Sequence, residues 1–185
     1  IALTGAAGFI GGVLARRLEI TGWQIRALVR PASLGARYAG TATQWIEGDL
    51  EDIDSLRRLV NNDVYAVVHC AGAVRGASQA QFDGVNVDGV ARLVQAAREQ
   101  HQMPRFLLIS SLAAREPHIS PYAASKRRGE EILAAAAGDM NWTVLRPSAV
   151  YGPGDKELLP LFRWIGRGIA PILGPGSARK RGSNS

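Results

Sequence analysis

The chain has 185 residues, of which 46% are hydrophobic and 21% charged, as expected for one soluble globular domain. Its net charge of +6 is partly concentrated at residues 179–181, and no basic stripe is interleaved with aromatic residues, which argues against a nucleic-acid partner. The single cysteine, Cys70, excludes an intramolecular disulfide and favours a cytoplasmic location, while the lack of a run of about 18 apolar residues argues against a membrane span.

Apolar runs and turn residues predict strands and helices that alternate along the chain. The predicted strands cover residues 1–3, 23–29, 43–47, 64–69, 106–109 and 142–145, and the predicted helices cover 8–21, 52–60, 78–101, 121–137 and 158–165. Trp23 and Trp142, at the starts of two strands, are expected in the core, as is His69 at the end of another. This alternation predicts an α/β fold: a doubly wound parallel sheet of six strands with helices on both faces.

A glycine-rich turn joins the first strand to the first helix. Gly5, Gly8 and Gly11 are spaced three residues apart, which differs from the common G-x-G-x-x-G fingerprint. Glycines let a backbone approach a pyrophosphate closely, and a helix N-terminus supplies N–H groups and a partial positive charge. The turn therefore predicts a phosphate cradle, although an ordinary tight turn would have a similar sequence.

Candidate site residues follow every predicted strand. In chain order these are Gly5, Arg30, Asp49, the pair Ala71 and Gly72, the pair Ser110 and Ser111, and Pro147. Ligands of open parallel sheets bind at the carboxyl ends of the strands. We therefore expect a single ligand site along this edge.

Tyr122 and Lys126 lie four residues apart in a predicted helix, so their side chains share one face. A lysine cation beside a phenol favours the phenolate, which makes Tyr122 a candidate proton donor and acceptor for an alcohol or carbonyl. Ser111 lies just beyond the fifth strand. The alternatives are a solvated helix face for the first pair and a turn serine for Ser111.

Together these motifs resemble the short-chain dehydrogenase/reductase superfamily, and most closely its extended branch, the NAD(P)-dependent epimerase/dehydratase family. The resemblance covers the chain up to about Asp155 and includes Gly48-Asp49-Leu50, Asn86-Val87-x-Gly89 and Arg146-Pro147-x-x-Val150-Tyr151-Gly152-Pro153-Gly154. It implies a Rossmann-type fold and an enzyme that moves hydride to or from a nicotinamide cofactor.

The resemblance also implies roles for individual residues. The catalytic residues would be Ser111, Tyr122 and Lys126, and no metal is implied. The cofactor-binding residues would be Gly5, Gly8, Phe9, Ile10, Gly11, Arg30, Asp49, Leu50, Ala71, Gly72, Ala73, Asn86, Tyr122, Lys126, Pro147 and Val150. For Asn86, a hydrogen bond to its own helix is an equal alternative.

Arg30 bears on the choice of cofactor. It follows the second strand, where an acidic residue would accept the adenosine ribose hydroxyls of NAD. A guanidinium can instead pair with a 2′-phosphate, so we expect NADP, with NAD as the alternative.

Two departures from the family pattern concern the substrate. Ser111 and Tyr122 are closer together than is usual in sugar-nucleotide epimerases, which shifts the expectation from a nucleotide sugar towards a carbonyl or hydroxysteroid-like compound. The chain also ends early. We predict a cofactor-binding domain over residues 1–155, the start of a truncated substrate-binding portion over 156–173, and a disordered basic tail over 174–185.

The leading prediction is thus an NAD(P)-dependent oxidoreductase or epimerase-type enzyme for a small-molecule substrate, with a homodimer as the candidate assembly. The alternative is a dinucleotide-binding sensor or scaffold that performs no chemistry. The presence of both Tyr122 and Lys126 favours an enzyme, and the short C-terminal part favours the alternative.

Overall fold

The computed structural model describes residues 1–36, 43–61, 63–155 and 158–169. The contacts divide the chain into one unit over Ile1–Val150 and a second that starts at Tyr151. The predicted tail over 174–185 lies outside the described residues.

The first unit is built on a six-stranded sheet. Its strands are β1 (Ala2–Thr4), β2 (Ile25–Val29), β3 (Thr43–Glu47), β4 (Ala66–His69), β5 (Arg105–Ile109) and β6 (Trp142–Leu145). All neighbours pair in parallel in the order β3-β2-β1-β4-β5-β6, so β1 lies between β2 and β4. The strand order reverses at β1, where the cleft of a doubly wound sheet is expected.

The helices of the first unit are α1 (Phe9–Ile20), α2 (Ile53–Leu59), α3 (Gln79–Asp83), α4 (Gly89–Arg98) and α5 (Pro121–Ala136). The second unit contains α6 (Leu159–Ile165), whose Leu159, Phe162 and Trp164 are exposed. In the described part of the chain, no helix is both long enough and apolar enough to cross a membrane.

One predicted helix has a different form in the structure. Residues 78–101 were expected to form a single helix, but α3 and α4 are separated by a π-helical turn over Gly84–Asp88. Helix periodicity does not reveal such a turn, because the apolar stripe continues through it. The turn rotates Asn86 into the protein interior, where it is 3% exposed.

Two apolar clusters cover the two faces of the sheet. Leu3, Ala27 and Val68 pack in one cluster with Ala15 of α1. Their strand neighbours Ala2, Leu28 and Val67 belong to the other, which also contains residues of α2, α4 and α5. Because side chains alternate between the faces of a strand, these clusters lie on opposite sides, and the predicted helices on both faces are confirmed.

The expectation for two tryptophans was wrong. Trp23 and Trp142 are 40% and 39% exposed, at the amino ends of β2 and β6. Trp23 stacks on the exposed Tyr65, with ring centroids 5.7 Å apart. Helices that cover the faces of the sheet leave strand starts partly uncovered, so an aromatic residue there is not necessarily a core residue.

Candidate functional site

A cleft of about 430 Å³ lies over the carboxyl ends of β1, β2, β3 and β4. Among the predicted cofactor-binding residues, those that line it are Gly5, Gly8, Arg30, Asp49, Leu50, Ala71, Gly72 and Ala73. The cleft is also lined by residues that were not predicted from the sequence, namely Ala7, Leu28, Val29, Ser33, Glu51, Cys70, Gly84 and Val85. Most of these are neighbours in sequence of predicted residues, and that adjacency is the signal that could have found them.

The glycine turn fits a phosphate. Gly5 has φ = +72°, and a Cβ placed on it would lie 2.6 Å from the backbone nitrogen of Ala71. A Cβ on Gly11 would lie 2.2 Å from the carbonyl oxygen of Gly5. No side chain caps the N-terminus of α1, which begins after Gly8, so its first N–H groups can meet an anion.

A buried histidine supports the other wall of the cleft. The Nδ1 atom of His69 lies 2.7 Å from Thr4 Oγ1, which also accepts a hydrogen bond of 3.2 Å from the backbone N–H of Ala71. Burial, aided by the charge of Lys126, lowers the pKa of His69 to about 3, so the ring is neutral. The predicted core position of His69 is confirmed, since the residue is 0% exposed.

Asn86 reaches across from the π-turn to the loop after β4. Its Oδ1 accepts a hydrogen bond of 3.0 Å from the N–H of Ala73, and its Nδ2 donates to the Ala73 carbonyl at 3.0 Å and to Ser125 Oγ at 2.9 Å. A Cβ on Gly129 would lie 2.2 Å from the Asn86 carbonyl oxygen, so α5 packs directly on this turn. The amide thus joins the loop to α5 instead of bonding its own helix.

Lys126 is a buried cation beside this loop. It is 8% exposed, and its Nζ donates a hydrogen bond of 3.3 Å to the carbonyl oxygen of Ile109. A Cβ on Gly72 would come within 2.8 Å of the same Nζ. Burial lowers the pKa of Lys126 to about 8, although nearby negative charge on Glu130 acts in the opposite direction.

Tyr122 lies one helical turn before Lys126 on α5 and is partly buried. Its ring packs edge-on to Phe82 of α3, with centroids 6.2 Å apart. Ser111 caps a 3-10 turn over Leu112–Arg115, and its Oγ accepts a hydrogen bond of 3.2 Å from Ala113 N–H. The hydrogen bond of a turn serine is therefore present, and a hydroxyl has capacity for a second partner.

The predicted nucleotide end of the site lies at β2 and β3. Arg30 is exposed at the end of β2, where the Ser33 N–H bonds its carbonyl oxygen at 2.8 Å. Asp49 also lines the cleft, and its Oδ1 accepts a hydrogen bond of 3.0 Å from the N–H of Glu51. These side chains suit a polar ligand.

Several predicted residues do not line the cleft. Phe9, Ile10 and Gly11 form the first turn of α1. Pro147 follows β6, and its carbonyl accepts a hydrogen bond of 2.9 Å from Leu112 N–H, which ties it to the Ser111 turn. Val150 is 41% exposed.

One buried polar cluster was missed. Glu130 is 7% exposed and receives hydrogen bonds from Ser110 and Arg146. Its spacing of four residues from Lys126 is the signal that could have found it, because both residues then lie on one face of α5. In the described ranges, no group of three or more His, Cys, Asp or Glu residues is arranged to hold a metal ion.

Comparison with solved structures agrees with this fold. The structure of WbmH from Bordetella bronchiseptica in complex with NAD+ aligns with a TM-score of 0.76 over 90% of this chain and 62% of that one, at 23% identity. That similarity applies to the fold alone.

Comparison with curated proteins identifies closer relatives. A ceramide reductase of Caulobacter vibrioides (strain NA1000 / CB15N) is 41% identical over 174 residues, covering 94% of this chain and 53% of that protein. A 2-alkyl-3-oxoalkanoate reductase of Stenotrophomonas maltophilia (strain K279a) is 32% identical over 199 residues, covering 96% and 59%. The chain thus spans somewhat more than half the length of these relatives.

The family model of the NAD dependent epimerase/dehydratase family matches residues 1–179. That match covers nearly all of the sequence and agrees with the parallel sheet and the glycine cradle described above. The chain therefore belongs to the NAD-dependent epimerase/dehydratase family, within the extended short-chain dehydrogenases/reductases.

Proposed function

We propose that this chain is the cofactor-binding part of an NAD(P)-dependent reductase that acts on a carbonyl or hydroxyl group of a small molecule. The observation that carries the proposal is the position of Lys126. A buried cation with a lowered pKa lies next to the cofactor-side loop at Gly72 and one helical turn from Tyr122. Perturbed titratable groups beside a cleft are typical of active sites.

Most of the groups that would hold the cofactor follow the first four strands. The α1 N-terminus and the glycine cradle would bind the pyrophosphate, Asp49 and Leu50 the adenine, and residues 71–73 the ribose and nicotinamide half. Phe9, Ile10 and Gly11 would contribute through the first turn of α1, and Pro147 and Val150 would face the nicotinamide. When bound, the nicotinamide would supply or accept a hydride.

The proton chemistry would belong to α5 and the Ser111 turn. Ser111 would orient the substrate oxygen with its hydroxyl, and Tyr122 would give a proton to that oxygen during reduction and take one during oxidation. Lys126 would stabilise the phenolate left on Tyr122 and bond the nicotinamide ribose. Asn86 would hold the loop at Ala73 against α5 through its amide.

A carbonyl substrate is favoured over a nucleotide sugar. The short separation of Ser111 and Tyr122 departs from the pattern of sugar-nucleotide epimerases. In addition, two relatives that are 41% and 32% identical bear the names of reductases that act on a ceramide and on 2-alkyl-3-oxoalkanoates. We therefore infer a substrate with an apolar chain next to the reacting carbonyl.

The test is turnover of such ketones by the complete protein that carries this chain. Tyr122→Phe should lower kcat at least a hundred-fold, because the proton donor is lost, while the Kd of the cofactor changes less than three-fold. Tyr65→Phe is the matched control, since Tyr65 is exposed and precedes β4 at the opposite edge of the sheet. A near-normal rate in Tyr122→Phe would remove Tyr122 from the reaction.

The alternative, a dinucleotide-binding sensor without chemistry, predicts a different result for the unmodified protein. It would bind cofactor but would transfer no hydride in a single-turnover experiment with any of the ketones that carry an apolar chain. A cytoplasmic location and a homodimer are further predictions, which cell fractionation and sedimentation velocity would test.

We also propose NADP as the preferred cofactor. The support is Arg30, an exposed cation that lines the cleft together with Ser33 where the adenosine ribose would lie. A guanidinium can bind a 2′-phosphate through two hydrogen bonds. The family description and the cited neighbour refer to NAD, so the preference requires direct measurement.

A further inference from the structure

Glu130 joins three elements at the carboxyl edge of the sheet. Its Oε1 accepts hydrogen bonds from Ser110 Oγ at 2.5 Å and from Arg146 Nε at 2.9 Å, and its Oε2 accepts one of 2.5 Å from the Arg146 guanidinium. The carboxylate lies on α5, Ser110 directly follows β5, and Arg146 directly follows β6. Its hydrogen bonds therefore fix these three elements to one another.

Each element held in this way carries a residue of the proposed site. Ser110 directly precedes Ser111, Arg146 directly precedes Pro147, and Glu130 lies one and two helical turns beyond Lys126 and Tyr122. Hydrogen bonds to a carboxylate are directional, whereas apolar side chains of similar volume would pack without fixing one arrangement. Misplacement of reacting groups by 1 Å can lower a rate about a hundred-fold.

The charge of Glu130 also acts on Lys126. Titratable neighbours that influence this lysine include His69 and Cys70 at the end of β4 and Glu130 on its own helix. Burial raises the pKa of Cys70 to about 12 and lowers that of His69 to about 3, so neither is charged near neutral pH. Burial would raise the pKa of Glu130, but hydrogen bonds from Arg146 and Ser110 hold it below the usual range. Glu130 is thus the ionised acid of this set.

We propose that Glu130 is a positioning residue, which holds Ser111, Pro147 and α5 in their working arrangement and supplies the negative charge beside Lys126. Arg146 is its structural partner and balances part of its charge. This inference rests on the proposed roles of Ser111, Tyr122 and Lys126. It adds a group that touches neither substrate nor cofactor and that acts through its neighbours.

The first test measures Lys126 directly and needs no turnover. The sequence contains three lysines, Lys126, Lys156 and Lys180, so the ε-carbon signals of ¹³C-labelled lysine can be assigned with the variants Lys156→Arg and Lys180→Arg. Glu130→Gln should lower the titration midpoint of Lys126 by about 0.5 pH units or more, because the neighbouring anion is removed. Glu131→Gln is the matched control, since Glu131 is exposed and pairs with Arg127.

The second test measures turnover in the complete protein. Glu130→Gln should lower kcat at least ten-fold with little change in KM, and the ionisation assigned to Lys126 in the pH–rate profile should move by the same amount as the NMR midpoint. Glu131→Gln should change neither. Glu130→Asp keeps the charge, so its Lys126 titration midpoint should lie close to that of the parent. Its kcat should stay further below the parent value, because the shorter side chain reaches its partners less well.

A second variant tests the inference if Glu130→Gln fails to fold. Glu130→Gln leaves Arg146 without its partner, so the double variant Glu130→Gln/Arg146→Met removes both charges and should fold if the single variant does not. An unmoved Lys126 midpoint, or turnover within two-fold of the parent in a folded variant, overturns the inference. Failure of the proposed function would appear instead as normal turnover in Tyr122→Phe, and the NMR titration would be unaffected.

Discussion

Two regions of the carboxyl edge are built on different physical principles. At the turn between β1 and α1 the cleft is shaped by backbone, and the absence of side chains at Gly5 and Gly11 makes the close approaches fit. Around α5 the arrangement depends on buried polar side chains, chiefly Lys126, Glu130 and Asn86. The first region depends on shape, so its variants should act independently of pH. The second depends on charge, so its variants should alter pH dependence.

The largest expected effect is in the region that depends on shape. Gly11→Ala would place a Cβ 2.2 Å from the Gly5 carbonyl oxygen, so the cradle or α1 must move. We expect cofactor affinity to fall more than a hundred-fold, equivalent to about 3 kcal/mol, at every pH at which the protein is folded. Isothermal titration calorimetry at pH 6, 7 and 9 would measure this.

Gly22→Ala is the control for the loss of a glycine near the same helix. Gly22 follows α1 with φ = +85° and has open space around it, so the variant should lose about 1 kcal/mol of stability and retain cofactor affinity. If Gly11→Ala bound cofactor normally, or lost affinity only at one pH, the contrast between the two regions would be wrong.

The next effect is in the region that depends on charge. Burial lowers the pKa of Lys126 to about 8, below the value of 10.5 expected in the unfolded chain, so the protonated lysine opposes folding at neutral pH. Lys126→Met should therefore raise the free energy of unfolding at pH 7 by about 1–3 kcal/mol, after allowance for the lost hydrogen bond to Ile109.

The sign of the pH dependence makes this prediction specific. Between pH 8 and about 10.5 the unfolded parent binds more protons at this position than the folded one, so the parent gains stability as pH rises. The advantage of Lys126→Met should shrink across that window, as measured by urea unfolding of both chains. A constant difference from pH 7 to 10.5 would contradict a buried lysine with a lowered pKa.

A third effect, similar in size to that of Lys126→Met, separates recognition by charge from recognition by shape within the cleft. Arg30→Asp should reverse the preference from NADP to NAD, with a change of about ten- to a hundred-fold in the affinity ratio, or about 1.5–3 kcal/mol. Arg17→Asp is the control for net charge, since Arg17 is exposed in the last turn of α1. Tighter NAD binding by the unmodified protein would rule out the NADP preference.

The sequence predicted most of the fold because its signals were local or periodic. The glycine turn and the apolar strands are read from neighbouring residues. The π-turn at Gly84–Asp88 carries no such signal, since it depends on the packing of Gly129 against the Asn86 carbonyl.

Candidate site residues could be predicted from the sequence only where neighbouring residues define them. The Tyr122 and Lys126 pair follows from helical spacing, but the contacts of Glu130 require knowledge that β5 and β6 end beside α5. The same limit explains the two tryptophans. Whether a strand start is covered depends on where a helix lies over the sheet, and that information is tertiary.

The central position of β1 has a consequence for the order of folding. Leu3 pairs with Ala27 of β2 and with Val68 of β4, so one neighbour of the first strand is synthesised much later than the other. The additional loop-closure entropy for the distant neighbour is small, about 1 kcal/mol. The distance in sequence between β1 and β4 therefore affects when these strands can pair during synthesis more than it affects the free energy of unfolding.

Because Gly5 packs against Ala71, the glycine cradle gains its second wall only when β4 has joined β1. We expect binding competence to be acquired late in refolding. Cofactor fluorescence should lag behind the recovery of far-ultraviolet circular dichroism, and simultaneous recovery of both signals would show that β1 and β4 associate early. The cofactor would then bind only chains whose first and fourth strands have already paired. The fraction of chains with bound cofactor would therefore measure how many have completed the centre of the sheet.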